Sequence, residues 1–217
     1  MKKKKLPIGI QSFEKIRTEN YYYVDKTEYI YKLVNSGGSY YFLSRPRRFG
    51  KSLFLDTIKQ AFLGRKELFE GLFLEKNWNW DEKYPVIHIS FGKGLFSSHQ
   101  TFLLSLQEVF MDIEKEHNLK LDYPSFAGKL WQAIRLLNER TGKKVVVLVD
   151  EYDKPILDCI TNKEVAKQNR EELKNIYSVL KDADPYLKFV FLTGVSKFSK
   201  VSIFSGLNQL KDITLDK

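Results

Sequence analysis

The chain has 217 residues, of which 43% are apolar and 14% aromatic, so it can bury the core of one large α/β domain. This composition excludes a disordered polar chain, and no apolar run approaches the ~20 residues that a membrane span needs. The net charge of +9 indicates either an anionic partner, meaning nucleotide phosphates, nucleic acid or both, or a lysine-rich chain whose charged faces are solvated. The single cysteine, Cys159, cannot pair within the chain, which fits a reducing cytoplasm.

Two short helices are predicted ahead of the first strand. Ser12–Thr18 and Lys26–Asn35 have helical patterns, and Gly37 and Gly38 close the second helix. A short apolar strand follows at Tyr40–Leu43.

Beyond this strand, helical stripes alternate with β-branched apolar runs. Leu53–Leu63 has the spacing of an amphipathic helix, and the stripes of three more helices begin at Phe102, Phe126 and Leu173. Four more strands are predicted, at Val86–Phe91, Lys144–Glu151, Leu187–Gly194 and Ile213–Leu215. Because strands and helices alternate, the pattern predicts an α/β fold in which a central, mostly parallel sheet lies between layers of helices.

The segment SRPRRFGKSL, Ser44–Leu53, has the ending of a phosphate-binding loop between a strand and a helix. A helix N-terminus offers free N–H groups and partial positive charge to phosphate, Lys51 is placed to reach the β- and γ-phosphates, and Ser52 to hold Mg²⁺. Arg45 occupies the place of the usual first glycine, which Pro46 can replace by fixing the entry to the loop. The residues predicted to contact a nucleotide are Pro46, Arg47, Arg48, Phe49, Gly50, Lys51, Ser52 and Leu53. The alternative is an ordinary basic loop.

Acidic and hydroxyl side chains end the two most apolar strands. Asp150 is predicted to hold the Mg²⁺ shell, and Glu151 to polarise a water for attack on a γ-phosphate. The alternative is a pair of solvated acids. At the end of the next strand, Thr193, or failing it Ser196, is placed to contact the water or the γ-phosphate, unless its hydroxyl only caps a turn.

Two neighbouring segments carry weaker signals. Asp153 and Lys154 either position the acidic pair or form a plain surface turn. The segment around Tyr23 and Asp25 is a candidate for part of an apolar adenine slot.

Four motifs together resemble the predicted AAA-ATPase-like family of bacteria and archaea, which is close to archaeal and STAND-type ATPases. They are YYYVDKTEYIYKLV, LSRPRRFGKSLFL, VVVLVDEYDKPI and FLTGVSKFSKVSIFSGLNQLKDITL. The arginine-rich loop without its first glycine is itself typical of that family. The resemblance implies an additional-strand P-loop ATPase, in which the strand ending at Thr193 lies between the loop strand and the acidic strand. It also implies that Lys51, Ser52, Asp150, Glu151 and Thr193 have the roles given above.

The sequence pattern and the resemblance together predict a domain organisation. Residues 1–38 are expected to be a helical segment packed on an ATPase core over 39–217. Family members usually continue into a small lid and a C-terminal domain resembling PD-(D/E)xK nucleases, so the chain is expected to be truncated before both.

Three classes of function follow from these patterns. The preferred one is an ATP-binding, Mg²⁺-dependent ATPase, cytoplasmic and without a membrane partner, that acts as switch or motor of a larger bacterial protein and is coupled to a nuclease-like domain. Turnover is expected to be slow where lid or partner arginines are missing. The sequence is compatible with an oligomer and with a monomer. The alternative is a nucleotide-gated binding module with little catalysis, with DNA as its partner. A P-loop kinase is less favoured, and strand order decides, since a kinase usually has its acidic strand next to the loop strand.

Overall fold

The central sheet has five parallel strands within the part of the chain that is described. The computed structural model describes residues 3–197, 203–204, 207 and 209–215. The strands are β1 (Tyr40–Ser44), β2 (Val86–Ser90), β3 (Val145–Asp150), β4 (Leu187–Gly194) and β5 (Lys211–Asp212). Their order is β2-β3-β4-β1-β5, and each neighbouring pair is parallel. The predicted α/β fold with a parallel central sheet is confirmed.

Helices cover both faces of the sheet. They are α1 (Phe13–Thr18), α2 (Thr27–Asn35), α3 (Lys51–Phe62), α4 (Phe73–Asn77), α5 (His99–His117), α6 (Phe126–Thr141), α7 (Lys154–Leu157) and α8 (Lys163–Asp182). Phe189 and Phe191 of β4 pack in one core cluster with α3, whereas Val190 and Leu192 pack in a second cluster with α5, α6 and α8. Among the described helices, none is both long and apolar enough to cross a bilayer.

Strand β4 lies between the strand that precedes the loop and the strand that ends in the acids. Its Thr193 pairs with Leu43 of β1, while its Leu192 pairs with Val149 of β3. This is the order that the family resemblance implies, and it differs from the order expected of a kinase, in which β1 and β3 would be neighbours.

The prediction for the last strand is wrong in position. The strand comprises Lys211–Asp212 and not Ile213–Leu215. The Asp212 carboxylate accepts the Thr214 N–H at 2.9 Å, which turns the chain, and the Thr214 hydroxyl accepts the Ser44 N–H at 3.1 Å.

Other element boundaries differ from the predicted ones for local reasons. Helix α3 begins at Lys51 and not at Leu53, because Gly50 has left-handed backbone (φ 75°) and is its N-cap. Helices α4 and α7 and the 3₁₀ turns at Lys66–Phe69 and Asp184–Tyr186 were not predicted, because they are too short to show a helical period.

The N-terminal helices pack on the α3 face of the sheet. Phe13 of α1 and Ile30 of α2 are fully buried in the same cluster as Phe191. The Asp25 carboxylate links α2 to α4, since it accepts the N–H groups of Thr27 (2.8 Å) and Phe73 (2.7 Å). The division at residue 38 stays a prediction.

We expect Asp25→Ala to lower the free energy of unfolding by about 2 kcal/mol, because it removes charge-assisted hydrogen bonds at the starts of two helices. Urea unfolding of both proteins measures this difference. Asp81→Ala is the matched control, since that exposed carboxylate accepts no hydrogen bond from the described residues. Equal losses in the two variants would contradict the linking role of Asp25.

Candidate functional site

The loop between β1 and α3 exposes the uncapped start of a helix. Gly50 is the N-cap of α3, and within the described residues no side chain caps it. The first turn of α3 contains no acidic residue, and a Cβ added at Gly50 would meet no atom within 4 Å. The first N–H groups of α3 thus have no capping side chain among the described residues, and the positive end of the helix dipole there suits an anion.

The loop holds an arginine in a strained conformation. Arg48 has φ 68°, and left-handed backbone costs a residue with a side chain roughly 1–2 kcal/mol. Residues Pro46, Arg47, Arg48 and Phe49 are exposed at the loop tip, with Phe49 64% exposed. Leu53, the last residue predicted to contact a nucleotide, is half-buried on α3.

The Lys51 ammonium lies inside the loop. Its Nζ donates to the carbonyls of Arg45 (2.9 Å) and Pro46 (3.0 Å), and the residue is only 8% exposed. Burial lowers the pKa of Lys51, while the charges of Asp150 and Glu151 oppose that shift. The loop carbonyls thus hold the buried Lys51 ammonium at a place where phosphate oxygens can replace those carbonyls as acceptors.

The acidic strand brings a carboxylate to the start of α3. Asp150 is 6% exposed, accepts the Glu151 N–H at 3.0 Å and is hydrogen-bonded to the Ser52 side chain. Burial raises the pKa of Asp150, and the bonds from Ser52 and Glu151 only partly offset this. The two predicted cation ligands therefore meet, although they lie 98 positions apart in the sequence.

Glu151 turns away from the strand in left-handed backbone. Its φ is 53°, and its carboxylate lies beside the end of β2, 3.8 Å from where a Cβ on Gly92 would be. Burial raises the pKa of Glu151, and the neighbouring Asp150 charge raises it further. Glu151 is thus a partly buried carboxylate with raised proton affinity, held in a costly conformation.

Thr193 presents a buried hydroxyl on the α3 side of the sheet. It is fully buried, and its Oγ1 has no hydrogen-bond partner in the described structure. Because Phe191 and Phe189 pack against α3, alternation along β4 puts Thr193 on the same face. A buried hydroxyl without a partner costs about 1–3 kcal/mol, so this position is suited to a bound ligand or water.

A cavity of about 350 Å³ opens beside the loop. Its apolar wall consists of Tyr29, Leu33, Leu43, Phe49, Phe54 and Ile213. Five cationic side chains also line it, namely Lys26, Lys32, Arg45, Lys51 and Lys211. Among the described lining residues there is no carboxylate, so the cavity combines apolar surface with positive charge.

Tyr23 and Asp25, which were predicted to supply part of an adenine slot, are not among the described residues that line this cavity. Tyr23 packs edge-on against Phe13, and its hydroxyl lies 3.4 Å from that of Thr57. Tyr29 and Leu33 line the cavity instead. Their i, i+4 spacing places both side chains on one face of α2, but only the packing of the helix shows that this face meets the loop.

The family model described as Predicted AAA-ATPase matches residues 7–204. The chain belongs to this family. It is also 49% identical, over all 217 residues, to an uncharacterized protein in the vnfD 5′ region of Azotobacter chroococcum mcd 1. The chain spans 42% of that relative's length.

Arg45 stands where many phosphate-binding loops have a glycine. Arg45 continues the β1–β4 pairing, since its N–H donates to Gly194 O at 3.2 Å, and its side chain lines the cavity. The sequence placed Arg45 at the usual first glycine of the loop but did not predict its contact with the cavity, because that contact depends on the packing of α2.

We expect Asp150→Asn to raise the free energy of unfolding at pH 7, by about 1 kcal/mol. Because folding raises the pKa of Asp150, its charge destabilises the fold above that pKa. As the pH falls from this raised pKa to the ordinary value of 3.8, Asp150 becomes protonated in the folded protein and the cost of its buried charge disappears. The extra stability of Asp150→Asn over wild type should therefore shrink over that pH range.

Urea unfolding at pH 7 and at lower pH measures this gain. Asp112→Asn, which changes an exposed carboxylate on α5, is the control with no expected gain. An Asp150→Asn protein that is less stable than wild type at pH 7 would contradict the argument.

Proposed function

We propose that this chain binds ATP with Mg²⁺ and hydrolyses it to ADP and phosphate, as the ATPase module of a larger protein. The observation that carries the proposal is the convergence of Lys51, the Ser52–Asp150 pair and Glu151 at one edge of the sheet. The buried hydroxyl of Thr193 lies between them in the strand order. Membership of the AAA-ATPase family supports nucleotide binding.

The loop and the cavity divide the nucleotide between them in this proposal. The first N–H groups of α3 and the Lys51 ammonium bind phosphate oxygens, as at other helix N-termini. The base enters the apolar slot beside Tyr29 and Leu33. No described lining residue has a carboxylate to accept the N–H groups of guanine, which favours adenine.

Mg²⁺ fits the Ser52–Asp150 pair. The ion commonly takes one or two protein oxygens and completes its shell with phosphate oxygens and water, and it neutralises phosphate charge when bound. The hydroxyl of Ser52 and the buried carboxylate of Asp150 are ligands of that kind.

Glu151 is proposed to act as the general base. It accepts a proton from the water whose oxygen forms the new bond to the γ-phosphorus, and the bond from that phosphorus to the β–γ bridging oxygen breaks. A raised pKa brings a carboxylate closer to the pH at which it must accept a proton. The Thr193 hydroxyl is proposed to orient this water or the γ-phosphate.

The role in the whole protein is a proposal drawn from length and family. The relative that matches the entire chain is more than twice as long, which leaves room for further domains in such proteins. We propose that nucleotide turnover acts there as a switch or motor, coupled to a nuclease-like domain. Since ATP is a cytoplasmic substrate and Cys159 is a free thiol, we place this activity in the cytoplasm.

We expect Lys51→Ala to weaken Mg²⁺-ATP binding by at least about 100-fold, because it removes a charge-assisted contact to phosphate. Glu151→Gln should retain the affinity and lower kcat by about 10²–10⁴-fold, because it removes the general base. Calorimetric titration and phosphate release measure the two effects.

The matched control is Lys59→Ala on the same helix, where the lysine pairs with Glu116 instead. Equal ATP affinity of wild type and Lys51→Ala would contradict the binding site. Unchanged turnover in Glu151→Gln would contradict the hydrolytic mechanism and favour the alternative, a nucleotide-gated binding module.

The exposed loop tip favours DNA as a partner for that alternative. Arg47, Arg48 and Phe49 are all exposed, and cationic and aromatic side chains together bind single strands. If Arg47 and Arg48 contact the phosphates of ATP, we expect Arg47→Ala and Arg48→Ala to weaken ATP binding more than DNA binding. If the two arginines form a surface for DNA, we expect the same variants to weaken DNA binding more than ATP binding. Separate titrations with ATP and with a DNA oligonucleotide at two salt concentrations measure this, and a loss of neither affinity would contradict both roles.

A further inference from the structure

The turn after β4 is bonded to the end of the loop strand. The Ser44 hydroxyl donates to Val195 O at 2.9 Å, and the Arg45 N–H donates to Gly194 O at 3.2 Å. Both donors stand at the start of the phosphate loop. A shift of this turn would therefore move the backbone of Ser44 and Arg45.

The same turn is bonded to the end of the acidic strand. The Tyr152 N–H donates to Thr193 O at 3.1 Å, and the Tyr152 hydroxyl donates to Ser196 O at 2.8 Å. Tyr152 directly follows Glu151. Residues 193–196 thus connect the two halves of the candidate site across β4.

Asp153 makes the charged contact in this connection. Its Oδ2 accepts the N–H groups of both Val195 (2.9 Å) and Ser196 (2.6 Å), and the residue is 1% exposed. Its Oδ1 has no hydrogen-bond partner in the described structure. A carboxylate so far from water needs strong donors, and these two N–H groups are the ones that the described residues supply.

Gly194 leaves the room that this contact needs. A Cβ at Gly194 would lie 2.5 Å from Asp153 Oδ1 and 2.6 Å from the Tyr152 ring, closer than real Cβ contacts allow. The carboxylate and the aromatic ring therefore pack directly on the backbone that follows Thr193.

We propose that Asp153 is a positioning residue for ATP hydrolysis, which fixes residues 193–196 through the Val195 and Ser196 N–H groups. The Thr193 hydroxyl is then held at a set place relative to Glu151 and to the phosphate loop. The inference rests on the proposed function, in which Thr193 orients the water or the γ-phosphate. This role accounts for the burial of the Asp153 carboxylate, which a plain surface turn would leave exposed to water.

The test compares Asp153→Asn with wild type over the full chain. The asparagine keeps the shape but loses the charge, so its bonds to the two N–H groups weaken. We expect kcat for ATP to fall by about 10- to 100-fold, as for a small misplacement of a reacting group. The Kd for Mg²⁺-ATP should stay within about threefold of wild type, because no ground-state contact is lost.

Hydrogen–deuterium exchange without nucleotide tests the contact itself. The amides of residues 194–196 should exchange faster in Asp153→Asn, with the exchange of β3 unchanged. Gly194→Ala should reproduce both effects, because its Cβ displaces the carboxylate. The control is Asp56→Asn, which alters another carboxylate that accepts a backbone N–H, that of Phe13 at 2.6 Å, and should leave kcat unchanged.

The outcomes separate the two proposals. Wild-type kcat and exchange in Asp153→Asn, or an equal loss of kcat in Asp56→Asn, would overturn the positioning role. A rise in Kd parallel to the fall in kcat would also overturn it and indicate a general loss of structure. If the wild-type chain shows no turnover, the proposed function fails and the hydrolytic role of Asp153 with it, while the exchange data still show whether Asp153 holds the turn.

Discussion

The insertion of β4 between β1 and β3 is the constraint on which the site depends. All strands are parallel, so their carboxyl ends meet at one edge, but the loop strand and the acidic strand are not neighbours. The Ser52–Asp150 contact must therefore pass over the end of β4. A strand in that place has to end in small residues and then leave the edge, and Thr193 and Gly194 meet this requirement.

The site contains interactions that oppose folding. Lys51 and Asp150 are buried with pKa values shifted toward their neutral forms, and Arg48 and Glu151 have left-handed backbone. Each such feature costs on the order of 1–3 kcal/mol, comparable with the gain from burying one large apolar side chain. The fully buried strand β3 and the aromatic packing of β4 provide many such side chains, so the core can hold the edge in place.

The sequence predicted those parts of the molecule whose signals are local. Leu187–Gly194 was predicted with its exact bounds, because a continuous apolar run between polar residues defines a buried strand. The phosphate loop was found from Gly50, Lys51 and Ser52 in their strand–helix context. The partners of Asp153 could not be predicted, because they lie 42 and 43 residues away and are defined only by the strand order. The cavity wall on α2 could not be predicted for the same reason, since only packing decides which face of that helix meets the loop.

The distribution of charge bears on the choice between partners. An excess of +9 over the chain suggested either nucleotide or nucleic acid. Five cationic side chains converge on one cavity beside the loop, and no described lining residue is a carboxylate. Lys32 is partly neutralised by Glu28 at 2.9 Å, but the cavity still concentrates positive charge beside the loop that is proposed to bind the phosphates. Part of the excess charge therefore lines this cavity, so net charge alone is no argument for nucleic acid.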